Sequence, residues 1–324
     1  MFFETRQRPM VFALCAAMAC TLAGGCEQPT SLADRQFQEQ IQQEQTKKLA
    51  RAAAEAEELA TLVPAPRWVK PRVEEASARI QKTAGGRIIW EAIEAHGGLA
   101  NFYAQGPLHF RFDYRPLGER AARDTRQIVD TWSSRARHSL SDDAQVEFAW
   151  DGQRAWELKG DKEVDLNARF WALTPYYFVG IPFVLADRGV VLKNEGEAEI
   201  EGRLYDTVRA SFAPGTGDAP DDFYIVYVHK DTRLVEAIRY IVSYPGFFPD
   251  GGHSPESFMT YEKHEKLGEL SFARFHRTFR WDPVTLLPGD HLTTTTVSEL
   301  EFRPDTAIDA FEAPVGARII EGWK

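Results

Sequence analysis

Cysteine is scarce in this 324-residue chain, and its scarcity excludes two kinds of stabilising site. The three cysteines are Cys15, Cys20 and Cys26, and the first two lie in an apolar leader. A chain processed after residue 25 keeps Cys26 alone, so it has no internal disulfide and no thiolate metal site. An exported domain of this composition depends on its hydrophobic core.

Positive charge and long apolar runs are also in short supply. The 38 Lys and Arg against 48 Asp and Glu give a net charge of −10, which disfavours nucleic acid and anionic headgroups as partners. After the leader, the most apolar stretch is "RFWALTPYYFVGIPFVLADRGV" (169–190). Pro175, Gly180 and Pro182 interrupt it, so it is not a membrane span, which needs about 20 unbroken apolar residues.

Catalytic motifs are missing as well. The chain has no nucleophile elbow, P-loop, HExxH or dinucleotide-binding glycine motif, and its eight histidines fall singly. We therefore expect no metal and no cofactor. One enzyme alternative stays open, in which His253 acts with Asp250 and Glu256 as a hydrolytic centre in the loop "YPGFFPDGGHSPESF" (244–258).

The sequence begins with a secretory leader. Arg6 and Arg8 precede an apolar run that ends in "LAGGC", which predicts a signal peptide over residues 1–25. The position of Cys26 resembles the lipobox of bacterial lipoproteins, although Ala23 stands where leucine is usual. The resemblance implies that Cys26 is acylated and that residues 26–30 form a lipidated N-terminus.

Acylation would hold the protein on a membrane. Glu27 follows the cysteine instead of the aspartate that resembles an inner-membrane retention signal, so we expect an outer-membrane lipoprotein facing the periplasm. The alternative is an ordinary signal peptide cut near Gly25.

The remaining chain divides by composition. Residues 31–63 contain strong helix formers and sparse apolar positions, which predicts a helical spacer; a coiled coil is the alternative. "VPAPRWVKP" predicts a proline-rich linker over 64–71. A helix from about 72 to 95, stopped by Gly97 and Gly98, begins the compact domain, which is predicted to run over 72–324.

After Gly106 the hydrophobic pattern changes to a period of two. In "HFRFDY", Phe110, Phe112 and Tyr114 fall on one face, and similar stretches follow along the chain. Eight to eleven strands without βαβ spacing predict a mainly β (α+β) fold: a curved antiparallel sheet or open half-barrel with helices covering its concave face. Residues 169–190 are expected to form a short helix and turn that act as a lid.

Over about residues 85–315, the chain resembles lipoproteins with the fold of the LolA and LolB lipoprotein carriers and receptors. The resemblance lies in the order of elements and in three short segments, "IEAHGGL", "PFVLADRGV" and "YDTVRASF". The resemblance implies an unclosed barrel whose apolar cavity holds acyl chains of a lipid or lipoprotein. Its candidate lining residues are Phe110, Phe112, Trp132, Phe148, Trp150, Trp171, Tyr177, Phe178 and Phe183. The alternative is that these rings fill a solid core.

Phe247 and Phe248, which lie between two prolines, form a candidate apolar tip for contact with a membrane or a partner lipoprotein; the alternative is that they fold back onto the sheet. Three functions therefore stay open. The first is a lipid-anchored lipoprotein that binds a lipid, an acyl chain or another apolar ligand, with another envelope protein as a further partner. The second is the hydrolytic enzyme, and the third is an adaptor with a dry core.

Overall fold

The computed structural model describes residues 36, 39–50, 61–160, 162, 166–219 and 221–322. The chain divides into two compact units, Met1–Ala54 and Glu55–Lys324. In the first unit, residues 39–50 are helical and fall within the predicted spacer. The signal peptide, Cys26 and the lipidated N-terminus predicted around it lie outside the described residues.

Three helices open the second unit: α1 (Pro66–Ile80), α2 (Ala84–Ala95) and α3 (Leu99–Ala104). The predicted linker over 64–71 is wrong from Pro66 onward, because α1 begins there and includes Pro71. Pro66 stands in the first turn, where its missing N–H has no intrahelical partner. Pro71 lies inside the helix and removes one backbone hydrogen bond, and burial of Val69 and Ala76 supplies packing that offsets this loss. Within the described chain, no helix is both long and apolar enough to cross a bilayer.

The rest of the unit is one large antiparallel sheet, which among the described residues has fourteen strands in the order β14-β5-β4-β3-β2-β1-β13-β12-β10-β9-β8-β7-β6, with β11 paired to β12. The strands are β1 (Leu108–Pro116), β2 (Arg123–Asp130), β3 (Arg135–Leu140), β4 (Glu147–Trp150), β5 (Ala155–Leu158), β6 (Val190–Ile200), β7 (Arg203–Phe212), β8 (Phe223–His229), β9 (Val235–Tyr240), β10 (Ser257–Thr260), β11 (Glu262–Leu267), β12 (Leu270–Asp282), β13 (Leu287–Phe302) and β14 (Arg318–Ile320).

The sheet does not close, because β14 and β6 are its two ends and do not pair with each other. The predicted open, curved antiparallel sheet with covering helices is confirmed. The strand number exceeds the predicted eight to eleven because β4, β5, β10 and β14 have only three or four residues each.

The core lies between the helices and the inner face of the sheet. Ile89, Ala92 and Ile93 of α2 are fully buried at helical spacing, and they belong to the same cluster as Phe110 and Phe112 of β1. Alternation along β1 and 3.6-residue periodicity along α2 therefore bury one face of each element against the other.

Residues of the segment "AHGGL" contact the sheet and hold the end of α2 against it. The buried His96 ring has its Nδ1 2.9 Å from the carbonyl oxygen of Ser271, and its Nε2 accepts the N–H of Val235 at 3.1 Å. Gly97 adopts φ +109°, and a Cβ there would lie 2.4 Å from the carbonyl oxygen of Glu269. A neutral histidine and a residue without a side chain are both required at this junction.

Substitution of Gly97 by alanine is expected to lower the free energy of unfolding by about 1–3 kcal/mol, because the new methyl group meets backbone on top of the unfavourable positive φ. Gly98→Ala is the matched control. Gly98 also has positive φ (+88°), but its nearest atom is 3.7 Å away in the side chain of Glu94. Equal losses for the two variants in urea unfolding would show that the close approach at Gly97 is unimportant.

Candidate functional site

A lid covers part of the concave face, and we define it as residues 167–190. It contains α4 (Ala168–Trp171), α5 (Thr174–Gly180) and a 3-10 helix (Phe183–Ala186). The Asn167 side chain caps α4 by accepting the N–H of Phe170 at 2.9 Å, and Pro175 stands in the first turn of α5. The helix and turn predicted for this segment are confirmed.

Buried side chains of the sheet hold the lid by its backbone. The Tyr261 hydroxyl donates to the carbonyl oxygen of Phe178 at 3.0 Å. The His138 Nε2 lies 2.8 Å from the carbonyl oxygen of Ala172 and donates to it. These bonds satisfy carbonyl groups that the short helices leave unpaired, so the position of the lid is specified by the sheet below it.

A cavity of about 440 Å³ lies between the lid and the inner face of strands β7 to β9; we call it the apolar chamber. Its volume falls in the range of small-molecule sites. Most of its wall is apolar or aromatic. The main contributors are Leu173, Tyr176, Tyr177, Phe178 and Val184 of the lid, with Phe212, Tyr224, Tyr240, Val242 and Tyr244 of the sheet and the segments that follow it.

Stacked rings build the wall. Tyr177 of the lid stacks on Tyr224 with ring centroids 5.3 Å apart, and Tyr224 stacks on Tyr240 at 5.9 Å. Burial raises the pKa of all three hydroxyls well above the ordinary tyrosine value, so these groups stay neutral. The Tyr177 hydroxyl is buried and has no hydrogen-bond partner within the described chain. It is an unpaired polar group among the stacked rings of the wall.

One edge of the chamber is charged. Arg169 makes a two-pronged ion pair with Asp218, with nitrogen–oxygen distances of 2.6 and 2.8 Å, and its guanidinium lies 4.0 Å from the ring centre of Trp150. Asp222 accepts the backbone N–H of Ser243 at 2.6 Å, which ties the loop before β8 to the segment after β9. Sequence reasoning missed the Arg169–Asp218 pair, because 49 residues separate its members and neither belongs to a motif.

Of the nine predicted lining residues, Trp150, Tyr177 and Phe178 line the apolar chamber. Trp132 lines a second cavity, and Trp171 packs edge-on against Tyr114. The other four, Phe110, Phe112, Phe148 and Phe183, are buried core residues that line neither of these two cavities. Alternation identifies the inner face of a strand, but it does not show which inner residues meet a helix and which meet a void.

Phe247 and Phe248, the predicted apolar tip, differ in exposure. Phe247 is 48% exposed and contacts Phe170 and Tyr244 with ring centroids 4.9 and 5.2 Å away. Phe248 is half-buried. Phe247 therefore packs on residues that line the chamber while leaving half of its ring in solvent. Contact between this tip and a membrane or partner stays a prediction.

The hydrolytic alternative finds no supporting geometry. His253 is exposed, and its Nδ1 contacts the carbonyl oxygen of its neighbour Ser254 at 2.7 Å. Glu256 pairs with Arg239 at 2.9 Å, while Asp250 lies at the surface. In the part of the chain that the structure describes, no ion pair joins His253 to a carboxylate, and no group of three His, Cys, Asp or Glu side chains is arranged to hold a metal ion.

The sequence matches no protein-family profile, and no curated protein is similar to it by sequence. Solved structures similar to it include a LolA superfamily protein from Nitrosomonas europaea, which is 9% identical, has a TM-score of 0.47 and is matched over 71% of this chain and 97% of its own. A DUF1329 family protein from Desulfovibrio piger is 12% identical and has a TM-score of 0.47. The match covers 71% of this chain and 98% of that chain.

A third is a putative outer membrane lipoprotein-sorting protein domain from Vibrio parahaemolyticus, 10% identical, with a TM-score of 0.44 and coverage of 70% of this chain and 95% of that chain. At identities this low, the ligands and partners of those proteins do not transfer to this chain.

Proposed function

We propose that the chain is a non-catalytic, lipid-anchored lipoprotein that holds an apolar ligand, such as the acyl chain of a lipid, in the apolar chamber. The observation that carries the proposal is the chamber itself, about 440 Å³ in volume and walled mostly by apolar and aromatic side chains beneath the lid. An adaptor with a dry core has no need of such a space, because protein interiors are otherwise close-packed.

The anchor and the location belong to the same proposal. An acylated Cys26 would attach the protein to the outer membrane on its periplasmic side, and the spacer would extend the binding domain from the bilayer. Such a protein meets lipids and lipoproteins where it is anchored. Phe247 is the candidate contact residue, because its ring is half exposed beside the chamber.

Filling the chamber with protein is expected to abolish binding. Leu173 lines the space from the lid, so Leu173→Trp replaces an isobutyl group by an indole that occupies part of the chamber. A fluorescent acyl-chain analogue should bind the wild-type chain saturably at one site. The variant should bind it at least about 10-fold more weakly, since a ligand must displace or avoid the ring.

Leu204→Trp is the matched control, because Leu204 is an exposed residue of β7 outside the chamber. It should leave both the affinity and the thermal midpoint unchanged. Leu173→Trp should not lower the midpoint by more than a few degrees, since it fills empty space. Unchanged probe affinity in a folded Leu173→Trp variant would place the binding elsewhere and refute the proposal.

A further inference from the structure

A second cavity adjoins the apolar chamber. Its volume is about 600 Å³, and it shares Ser134, Asp187 and Arg188 with the wall of the apolar chamber. The remaining lining comes from α1, the end of α3, the turn between β2 and β3 and the end of the 3-10 helix of the lid: Pro71, Arg72, Glu75, Ala76, Arg79, Tyr103, Trp132, Ser133 and Ala186. We call this space the arginine chamber.

The arginine chamber is positively charged in a protein that is acidic overall. Arg72, Arg79 and Arg188 face two carboxylates, Glu75 and Asp187. Glu75 contacts Arg79 at 3.3 Å and Arg188 at 3.6 Å, so one carboxylate is divided between two guanidinium groups. The three guanidinium groups exceed the carboxylates by one positive charge; Arg72 and Arg79 are partly buried, where an ion pair is screened less than at the surface, while Arg188 is exposed at the edge.

Arg72 is the most firmly held of the three. Its guanidinium lies between the rings of Tyr103 and Trp132, 4.4 and 4.3 Å from their centres, and it donates to the Trp132 carbonyl oxygen at 2.6 Å. The Trp132 backbone is fixed in turn, because its N–H donates to the buried Asp130 carboxylate at 3.0 Å. A guanidinium ordered before binding loses little entropy when it takes a second anion.

Asp187 neutralises Arg72 only in part. The two side chains are 3.9 Å apart, which is longer than a hydrogen bond, and the Asp187 side chain remains 36% exposed toward the cavities. Burial in this recess raises the pKa of Asp187 to about 6 despite the nearby Arg72 and Arg79. The carboxylate is therefore poorly stabilised where it stands, and Arg72 keeps donor capacity for a better-placed anion.

We propose that the ligand is an anionic amphiphile, whose tail lies in the apolar chamber and whose carboxylate or phosphate headgroup lies in the arginine chamber against Arg72. This inference rests on the proposed function, because it names the chemical class of the ligand that the apolar chamber holds. Asp187 stands at the junction of the two chambers and competes with the headgroup for Arg72. In this proposal, different walls of two adjoining chambers, which share Ser134, Asp187 and Arg188, recognise the tail and the headgroup.

The test compares probes that differ only in the headgroup. Dissociation constants of the full chain are measured for laurate, for dodecanol, which has the same tail without the charge, and for inorganic phosphate. The wild-type chain should prefer laurate to dodecanol. Arg72→Met should weaken laurate binding about 10-fold or more relative to dodecanol, since a charge-assisted pair is lost. Asp187→Asn should instead strengthen laurate binding several-fold.

Arg188→Met provides a second variant in case Arg72→Met fails to fold. The Arg188 side chain is 82% exposed, so its removal reduces the charge of the arginine chamber without touching the core, and laurate binding should weaken by about 2-fold to 3-fold. The wild-type laurate preference should fall only modestly as salt concentration rises, because the pair with Arg72 lies in a recess.

The outcomes separate the two proposals. Equal affinity of the wild-type chain for laurate and dodecanol would overturn the headgroup site while leaving the apolar chamber as a binding site. Failure of both probes to bind would refute the proposed function itself. Phosphate that binds the chain without displacing laurate, or that binds where laurate does not, would assign the arginine chamber to a small free anion and overturn the amphiphile. Phosphate that competes with laurate would support the shared headgroup site.

Discussion

Between pH 6.5 and pH 4 the protein is expected to lose most of its free energy of unfolding. His96, His138 and His276 are fully buried, and burial lowers the pKa of each from 6.5 to about 4. In the unfolded chain these rings take up protons near pH 6.5, whereas in the folded protein they resist protonation until about pH 4. The unfolded state therefore binds more protons across this window, and stability falls as the pH falls.

The expected effect is large. Each histidine contributes about 3 kcal/mol of destabilisation by pH 4, at about 1.4 kcal/mol per pKa unit, and three together approach the whole stability of a typical domain. Asp187 acts in the opposite sense, because its folded-state pKa is raised to about 6, and offsets part of the loss. Urea unfolding at several pH values should give a stability that declines steeply below pH 6.5.

His138→Gln isolates one contribution. Glutamine can still donate to the carbonyl oxygen of Ala172 but does not take up a proton, so the variant should lose about a third of the pH dependence between pH 6.5 and 4. His253→Gln changes an exposed histidine and serves as the control, with no expected change in the curve. A pH dependence identical in wild type and His138→Gln would contradict a buried neutral ring at this position.

Truncation of Phe183 to alanine is expected to lower the free energy of unfolding by about 3–5 kcal/mol. The ring is fully buried in the 3-10 helix of the lid and stacks on Phe102 with centroids 4.3 Å apart, and Phe272 lies 6.0 Å away. Removing it leaves a cavity between the lid and the core. Chemical denaturation, monitored by tryptophan fluorescence, measures the loss directly.

Phe178→Ala is the matched comparison, because Phe178 belongs to the same lid but borders the apolar chamber. Part of its surface already faces unfilled space, so its truncation should cost roughly half as much and should enlarge the chamber. If the two variants lost equal stability, Phe183 and Phe178 would occupy equivalent surroundings, and the division of the lid into a core anchor and a chamber wall would be wrong.

The architecture was predictable because its signals are local. Alternation in "HFRFDY" predicts a strand with Phe110 and Phe112 facing inward, and Gly97 and Gly98 predict the end of α2; the structure has both. The lid was predictable from a local signal as well, because Pro175 and Pro182 interrupt the aromatic run of residues 169–190 and exclude a regular strand there. At 64–71 the prolines led to a wrong prediction of a linker, because packing against the rest of the unit stabilises a helix from Pro66 onward.

The site was less predictable because its geometry depends on distant residues. His96 meets Val235 and Ser271, which are 139 and 175 residues away, so the sequence shows a helix end but not the bridge. Net charge misleads in the same way. A total of −10 argues against anionic ligands, yet Arg72, Arg79 and Arg188 converge on one recess. Averages over a chain do not report local fields.

Native mass spectrometry of the full chain, followed by organic extraction and identification of whatever is released, tests the central claim most directly. We predict that the wild-type protein carries a co-purifying apolar or amphiphilic molecule, and that Leu173→Trp carries none while Leu204→Trp carries the same molecule. A wild-type protein that is free of any such molecule across repeated preparations, and that takes up none when lipid is supplied, would contradict a ligand-binding role for the apolar chamber.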